Sequence, residues 1–299
     1  MFEFFVVQLF NGITLGSIYA LIALGYTMVY GILFMINFAH SEIFMLGAYI
    51  SLGFFILVSI LLPFVSINIV LSVVIASTIV GIIAMIIEFV AYRPLRNSPR
   101  LTPLISAISV SIILQNIVFI FVSNYAIPYN AISDLFPTKT FLGFEYKGLI
   151  IILITLFFMT ILGLFLSRTR FGIAIRATSQ DRNTASLMGI NVNTVISLVF
   201  FIGGFLGALG GFFYGSYYSM IRYDMGFIPG IKAFTAAVVG GIGSIQGAVL
   251  GGFLIGIFEI LVESYISSAY KDVIVYAILI LTLLLKPEGI LGEKSIEKI

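Results

Sequence analysis

Long apolar runs separated by short polar breaks dominate the chain. Runs of spanning length lie at about 5–34, 43–62, 67–92, 101–122, 148–167, 195–220, 229–265 and 273–286. Each reaches the ~20 residues that a helix needs to cross a bilayer core. The predicted fold is therefore all-α, a polytopic membrane helical bundle of eight or nine transmembrane helices in one domain over 1–299. The first run would reach roughly 45 Å as a straight helix against a core of about 30 Å. It is expected to tilt, protrude or break, with Gly25 and Gly31 as the expected places. Thr102-Pro103 predicts a helix start, Thr as N-cap and Pro at N1. The run 229–265 either crosses twice, turning near Gly241-Ile242-Gly243 for nine spans, or is partly re-entrant for eight. Nine is preferred because every loop then follows the charge rule below.

Composition agrees with membrane burial. Hydrophobic residues make up 61% and charged residues 9%, whereas soluble domains average about 25% charged. The absence of cysteine excludes disulfides and thiolate metal sites. Trp is also absent, so an aromatic belt must come from 15 Tyr and 29 Phe. Met1-Phe2-Glu3 lacks a positive n-region and the first run is too long for an h-region, so no cleavable leader is expected. A net charge of +2 is no nucleic-acid signal; the basic residues sit in loops, where they set orientation. Arg93, Arg96 and Arg100, then Arg168, Arg170, Arg176 and Arg182, then Lys286, Lys294 and Lys298 belong on the cytoplasmic side. Lys139, Lys147, Arg222, Lys232 and Lys271 are left for the outside. The N-terminus and the loop 123–147 are then external, and residues 37–42 and the C-terminus cytoplasmic.

Residues 168–193 form a polar island between two spans. Thr178 can N-cap a short amphipathic helix, with Asp181 three residues on completing a capping-box pattern. Gly189 suits the left-handed position that ends it. The segment Thr178-Ser179-Gln180-Asp181-Arg182 with Ala185-Ser186-Leu187 and Gly189 is thus a helix offered to a partner, with Ala185 and Leu187 as apolar contacts. Glycines recur every four residues at Gly203, Gly207, Gly211 and Gly215, and again at Gly243, Gly247 and Gly251. Gly252 and Gly256 repeat the spacing. Such stripes let helices approach closely, within the bundle or at a subunit interface.

Few polar residues occur elsewhere in the spans. His40, Ser41 and Glu42 form the one His-containing cluster. Ser41 as N-cap and Glu42 in the first turn would serve the second span; the functional alternative is a gate at the cytoplasmic mouth. A lone His is a poor metal ligand, and no metal or cofactor is expected. Glu259 and Glu263 share a helix face, where Lys271 or Arg222 could pair with them; intramembrane carboxylates face a cavity or a partner. Glu88 is within reach of Arg93 as an interfacial pair. No nucleophile–base grouping occurs, and no Gly-Lys dipeptide exists, which rules out a Walker A loop. ATP, if it drives anything here, binds another polypeptide.

Four segments resemble one family, the permeases of branched-chain amino-acid ABC transporters. They are Ile36-Asn37-Phe38-Ala39-His40 with Glu42 and Met45-Leu46-Gly47-Ala48-Tyr49; Arg176 to Arg182 with Ala185-Ser186-Leu187 and Gly189-Ile190-Asn191-Val192; Lys232-Ala233-Phe234-Thr235-Ala236-Ala237-Val238 leading into Gly240 to Ser244 and Gly247; and Lys286 to Gly292. The resemblance spans nearly the whole chain in order. Ser41 departs from it, the family often having Gly there, and the loop 123–147 has no match. It implies a permease half, not an enzyme, in a bacterial inner membrane among lipid. A second homologous permease, two ATP-binding subunits and an external solute-binding protein that delivers Leu, Ile or Val would complete the importer. The polar island becomes its coupling helix, and Asn37, His40, Ser41, Glu42, Glu259 and Glu263 the candidate path. Another cargo, such as urea, short amides or polar amino acids, is the nearest alternative; a stand-alone secondary transporter or channel, or a membrane-embedded enzyme, would be a different class.

Overall fold

The computed structural model describes residues 2–61, 65–96, 98–99, 101–130, 140–141 and 144–292. Arg100, Lys139, Lys294 and Lys298, four of the basic residues used for orientation, lie outside that set. Among these residues eleven α-helices follow one another: α1 (Phe2–Leu33), α2 (His40–Leu61), α3 (Val65–Ile87), α4 (Leu101–Phe121), α5 (Tyr146–Arg168), α6 (Arg170–Gln180), α7 (Arg182–Leu187), α8 (Val192–Tyr218), α9 (Phe227–Gly240), α10 (Ile245–Tyr265) and α11 (Lys271–Leu285). A π-helical turn (Glu88–Tyr92) and a 3-10 turn (Arg93–Leu95) extend α3. Two strand pairs are antiparallel: β1 (Ile127–Pro128) with β4 (Met220–Ile221), and β2 (Thr140–Phe141) with β3 (Phe144–Glu145).

Among the described residues, eight helices are long and apolar enough to cross a membrane, and α9 is a shorter apolar helix. The run 229–265 is two helices with the expected turn at 241–244, where Gly241 (φ 109) and Gly243 (φ 98) take the left-handed side, but only α10 has spanning length, so the preferred nine full spans become eight and a shorter helix. At 14 residues, α9 spans roughly 21 Å, less than a full core. Gly25 and Gly31 do not break the first run, which stays helical to Leu33 and leaves Phe2 and Phe4 exposed at its start. Helix α4 begins at Leu101, one residue before the expected Thr102 cap.

Glycine sets the packing. A Cβ on Gly16 would stand 2.7 Å from the Gly252 carbonyl oxygen, and one on Gly12 would stand 2.7 Å from Ile257 Cα. Helices α1 and α10 therefore run antiparallel with their backbones nearly touching. Along α8, Gly203 faces Gly25, Gly207 the His40 ring, Gly211 the Phe44 carbonyl, and Gly215 Ile221 and the Tyr129 ring. That stripe packs inside the bundle, the first of the two readings. In the α9–α10 hairpin, Gly247 meets Gly240 and Gly251 meets Ala236. Gly243 has open space around it, so it serves the turn and not the stripe.

Connecting segments and the tail fix both faces. On one face, Tyr129 N–H donates to the Ser219 carbonyl (2.9 Å), the Tyr129 hydroxyl meets Ser51 Oγ at 2.6 Å, and Lys147 Nζ donates to the Ser216 carbonyl (2.7 Å). On the other, Ile290 and Leu291 N–H groups donate to the Val239 and Gly240 carbonyls at 2.9 and 2.8 Å. The tail thereby satisfies carbonyls that the end of α9 would leave unpaired. Close backbone packing predicts a sharp contrast. Gly211→Leu, whose side chain would overlap the Phe44 carbonyl, abolishes monodisperse protein in detergent. Gly163→Leu, with nothing within 4 Å of its Cβ, leaves the yield unchanged by size-exclusion chromatography.

Candidate functional site

The connection from α1 to α2 turns back into the bundle. Phe34 takes φ 52 at the end of α1, a conformation that strains a bulky side chain. The segment 35–39 then returns alongside α1, because His40 lies against Gly25, eight positions before Leu33. Helix α2 thus begins roughly 12 Å inside the end of α1, not in a surface loop as expected. Gly25, Gly203 and Gly207 make room for the His40 ring, which meets Tyr26 edge-on at 4.8 Å. Ser41 is not an N-cap: it lies within the first turn and its hydroxyl donates to the Phe38 carbonyl (2.7 Å). Glu42 does fall in that turn.

Glu42 is fully buried. Its Oε1 accepts from Gln115 Nε2 (2.8 Å), Ser111 Oγ (3.2 Å) and Ser41 Oγ (3.4 Å). Asn37 Oδ1 accepts from the Tyr92 hydroxyl (2.7 Å). Beside this cluster lies a cavity of about 640 Å³, with Ser41, Ser111 and Gln115 among walls that are mostly aliphatic and aromatic. Four sequence-selected residues, Asn37, His40, Ser41 and Glu42, therefore share one buried region. Ser111 and Gln115 were missed there; their polar spacing of four in an otherwise apolar span was the available signal.

Glu259 and Glu263 part company. Glu263 pairs with Lys271 (3.3 Å), as expected. Glu259 pairs with neither Lys271 nor Arg222. Its Oε1 holds Lys232 Nζ at 2.6 Å and its Oε2 accepts from the Tyr19 hydroxyl at 2.9 Å. Lys232 also stands 2.6 Å from Asp272 Oδ1. Lys232 is 3% and Glu259 1% exposed, so Lys232 is no external loop residue but part of a buried cluster tying α1, α9, α10 and α11. Arg222 pairs with Asp224 instead (2.8 Å). Nothing in the local sequence links positions 27 apart, which is why this cluster was invisible before.

The expected Glu88–Arg93 pair forms (2.9 Å), and Arg96 joins it. Ser197 Oγ donates to Glu88 Oε2 (2.7 Å) and Arg96 to Asn193 Oδ1 (2.7 Å). The end of α3 is so anchored to the start of α8.

The polar island is two helices. Thr169, not Thr178, caps α6, accepting from Gly172 N. Thr178 is buried in the last turn of α6 and donates to the Ala174 carbonyl. Asp181 caps α7 through Asn183 and Thr184 N–H groups. Ser179 also donates back into α6, while Gln180 and Ser186 are exposed. Gly189 takes φ +83 past the end of α7, as expected. Ala185 is 3% exposed and so packs within the chain, whereas Leu187 (87%) and Met188 (79%) stand free. Arg182 reaches the end of α1, donating to the Ile32 carbonyl at 2.8 Å.

A bundle of long apolar helices with Glu88 and the Lys232–Glu259 pair buried inside it defines a multi-pass membrane protein. Residues 8–283 match the family described as branched-chain amino acid transport system / permease component. The chain is 45% identical to the high-affinity branched-chain amino acid transport permease LivH of Escherichia coli K12, covering 100% of this chain and 99% of that protein. It is also 45% identical to BraD of Pseudomonas aeruginosa, with 98% and 97% covered. A probable LivM permease of Methanocaldococcus jannaschii is 28% identical over 52% of this chain and 50% of its own length. The chain belongs to this permease family.

Removing one partner from a buried ion pair costs about 3–5 kcal/mol, whereas removing both costs far less. Lys232→Met therefore lowers the apparent Tm in detergent by several degrees, and adding Glu259→Leu restores much of the loss. Additive losses would show that the two charges do not depend on each other.

Proposed function

We propose that this chain is the membrane-spanning permease subunit of an ATP-driven importer for branched-chain amino acids (Leu, Ile and Val), one transmembrane domain over 1–299. A second homologous permease pairs with it, two separate subunits hydrolyse ATP, and an external solute-binding protein delivers substrate. The likeness to both LivH-type and LivM-type relatives supports a pair of similar permease halves. Orientation follows from charge. Arg93 and Arg96 share a face with the start of α8 and the helices α6 and α7, and Lys147 lies at the opposite end of α8. The arginine-rich face is cytoplasmic by the positive-inside rule, which leaves the N-terminus outside and the C-terminus in the cytoplasm.

The bond from Arg182 to the Ile32 carbonyl carries the coupling reading. No nucleotide loop exists in this chain, so energy must enter through a contact. Leu187 and Met188 are the apolar tips that such a contact would cover, while Ala185 holds α7 to its own chain. A pull on α7 passes through Arg182 to the end of α1, and from there to the strained turn at Phe34. Beyond that turn lies the buried start of α2, where Asn37, His40, Ser41 and Glu42 form the gate beside the aliphatic cavity. Thr178, Ser179, Gln180, Asp181, Ser186 and Gly189 shape and cap the docking helices.

Pull-down of the ATPase subunits and substrate uptake test this reading. Leu187→Arg and Gly189→Val reduce ATPase retention by about tenfold, the equivalent of one lost anchor of ~1.4 kcal/mol. Arg182→Ala retains the ATPases yet lowers uptake. Wild-type retention in both docking variants would reduce the island to a linker and favour a stand-alone transporter.

A further inference from the structure

A second cavity, of about 350 Å³, opens at the face that carries Tyr218 and Lys271. Its charged lining is balanced: Arg222, Lys232 and Lys271 against Asp224, Asp272 and Glu259. The two most buried of these, Lys232 and Glu259, sit 2.6 Å apart, while Arg222, Asp224 and Asp272 remain partly open to solvent. Met225 and Ile228 supply apolar wall. Asp224 and Ile228 also line the larger aliphatic cavity beside Ser41. The two spaces are therefore neighbours, divided by the start of α9.

We infer that this charged vestibule is an entry subsite for the zwitterionic head group of an amino acid. The solute's two charges exchange into existing ion pairs: the α-ammonium takes the place of Arg222 at Asp224 (2.8 Å) and joins Lys232 at Asp272, while the carboxylate takes up the released Arg222 and draws Lys271 from Glu263 (3.3 Å); the aliphatic side chain points towards Ile228 and the cavity beyond. Charge balance is the reason. A solute bearing only one charge meets as many repelling as attracting groups, whereas a zwitterion can align both ends. Buried charges in a span mark a path or a water-filled cavity, and here they line one.

The proposal rests on the importer reading, and the experiment separates the two. Saturation-transfer NMR is recorded on the purified permease–ATPase complex without the binding protein. The probes are leucine, leucine amide (cation only) and 4-methylpentanoate (anion only). Leucine gives about tenfold stronger transfer than either analogue, the worth of one charged hydrogen bond. Asp272→Asn removes the advantage over 4-methylpentanoate, and Lys271→Gln the advantage over leucine amide, compared at equal amounts of assembled complex. If Asp272→Asn does not assemble, Lys271→Gln decides alone, because Lys271 pairs with Glu263 and not with the buried Lys232–Glu259 cluster. Equal signals from all three probes, no leucine signal, or unchanged discrimination in the variants would overturn the subsite. Absence of ATP-driven leucine uptake by the wild-type complex with its binding protein would instead overturn the importer reading.

Discussion

Backbone contact through glycine is the constraint on which this structure depends. In lipid, helices gain no hydrophobic energy by meeting, so close packing and internal polar bonds must hold them. Helix α1 meets α10, and α8 meets α2, through glycines so near that an added Cβ would strike main-chain atoms. This closeness does more than fill space. It places Tyr19 within 2.9 Å of Glu259 and leaves the slot between Gly25, Gly203 and Gly207 that receives His40. The polar seats exist because the glycines let the chain come close enough to build them.

Charge is distributed to suit that scaffold. The arginines of α3, α6 and α7 gather at one end, where Glu88, Ser197 and Asn193 tie α3 to α8. At the other end, Lys232 shares two carboxylates from α10 and α11. Between them, α2 starts inside the bundle and α9 spans only part of its depth. Two interrupted helices facing adjoining cavities give the interior a region where backbone and side chains can rearrange without exposing unpaired groups to lipid.

Much of this was legible in the sequence because membrane helices announce themselves by length and apolarity. The spans, the turn at Gly241, the packing glycines of α8 and the left-handed Gly189 all follow from local rules. The misreadings came where a local rule competed with tertiary contact. Ser41 has the chemistry of a cap, but the chain preceding it is folded back, so its hydroxyl bonds to Phe38. Thr178 has the same chemistry, yet Thr169 starts the helix earlier. Gly25 looked like a break and is a seat for an imidazole ring. Lys232 looked like loop charge, and its partner lies 27 residues away on another helix. Pairings of that kind depend on how helices register against each other, which periodicity does not encode.

Helix α2 begins within the bundle, seated against α8, and the segment after Phe34 leads inward to it. Since the chain has no cysteine, single cysteines at 34, 36, 39 and 41 are its only thiols, and labelling is read on the separated permease chain. The membrane-impermeant thiol reagent is applied to inside-out vesicles carrying the resting complex. The buried start of α2 predicts rapid labelling of Phe34→Cys and none of Ala39→Cys or Ser41→Cys. Labelling of Ala39→Cys as fast as Phe34→Cys would contradict it.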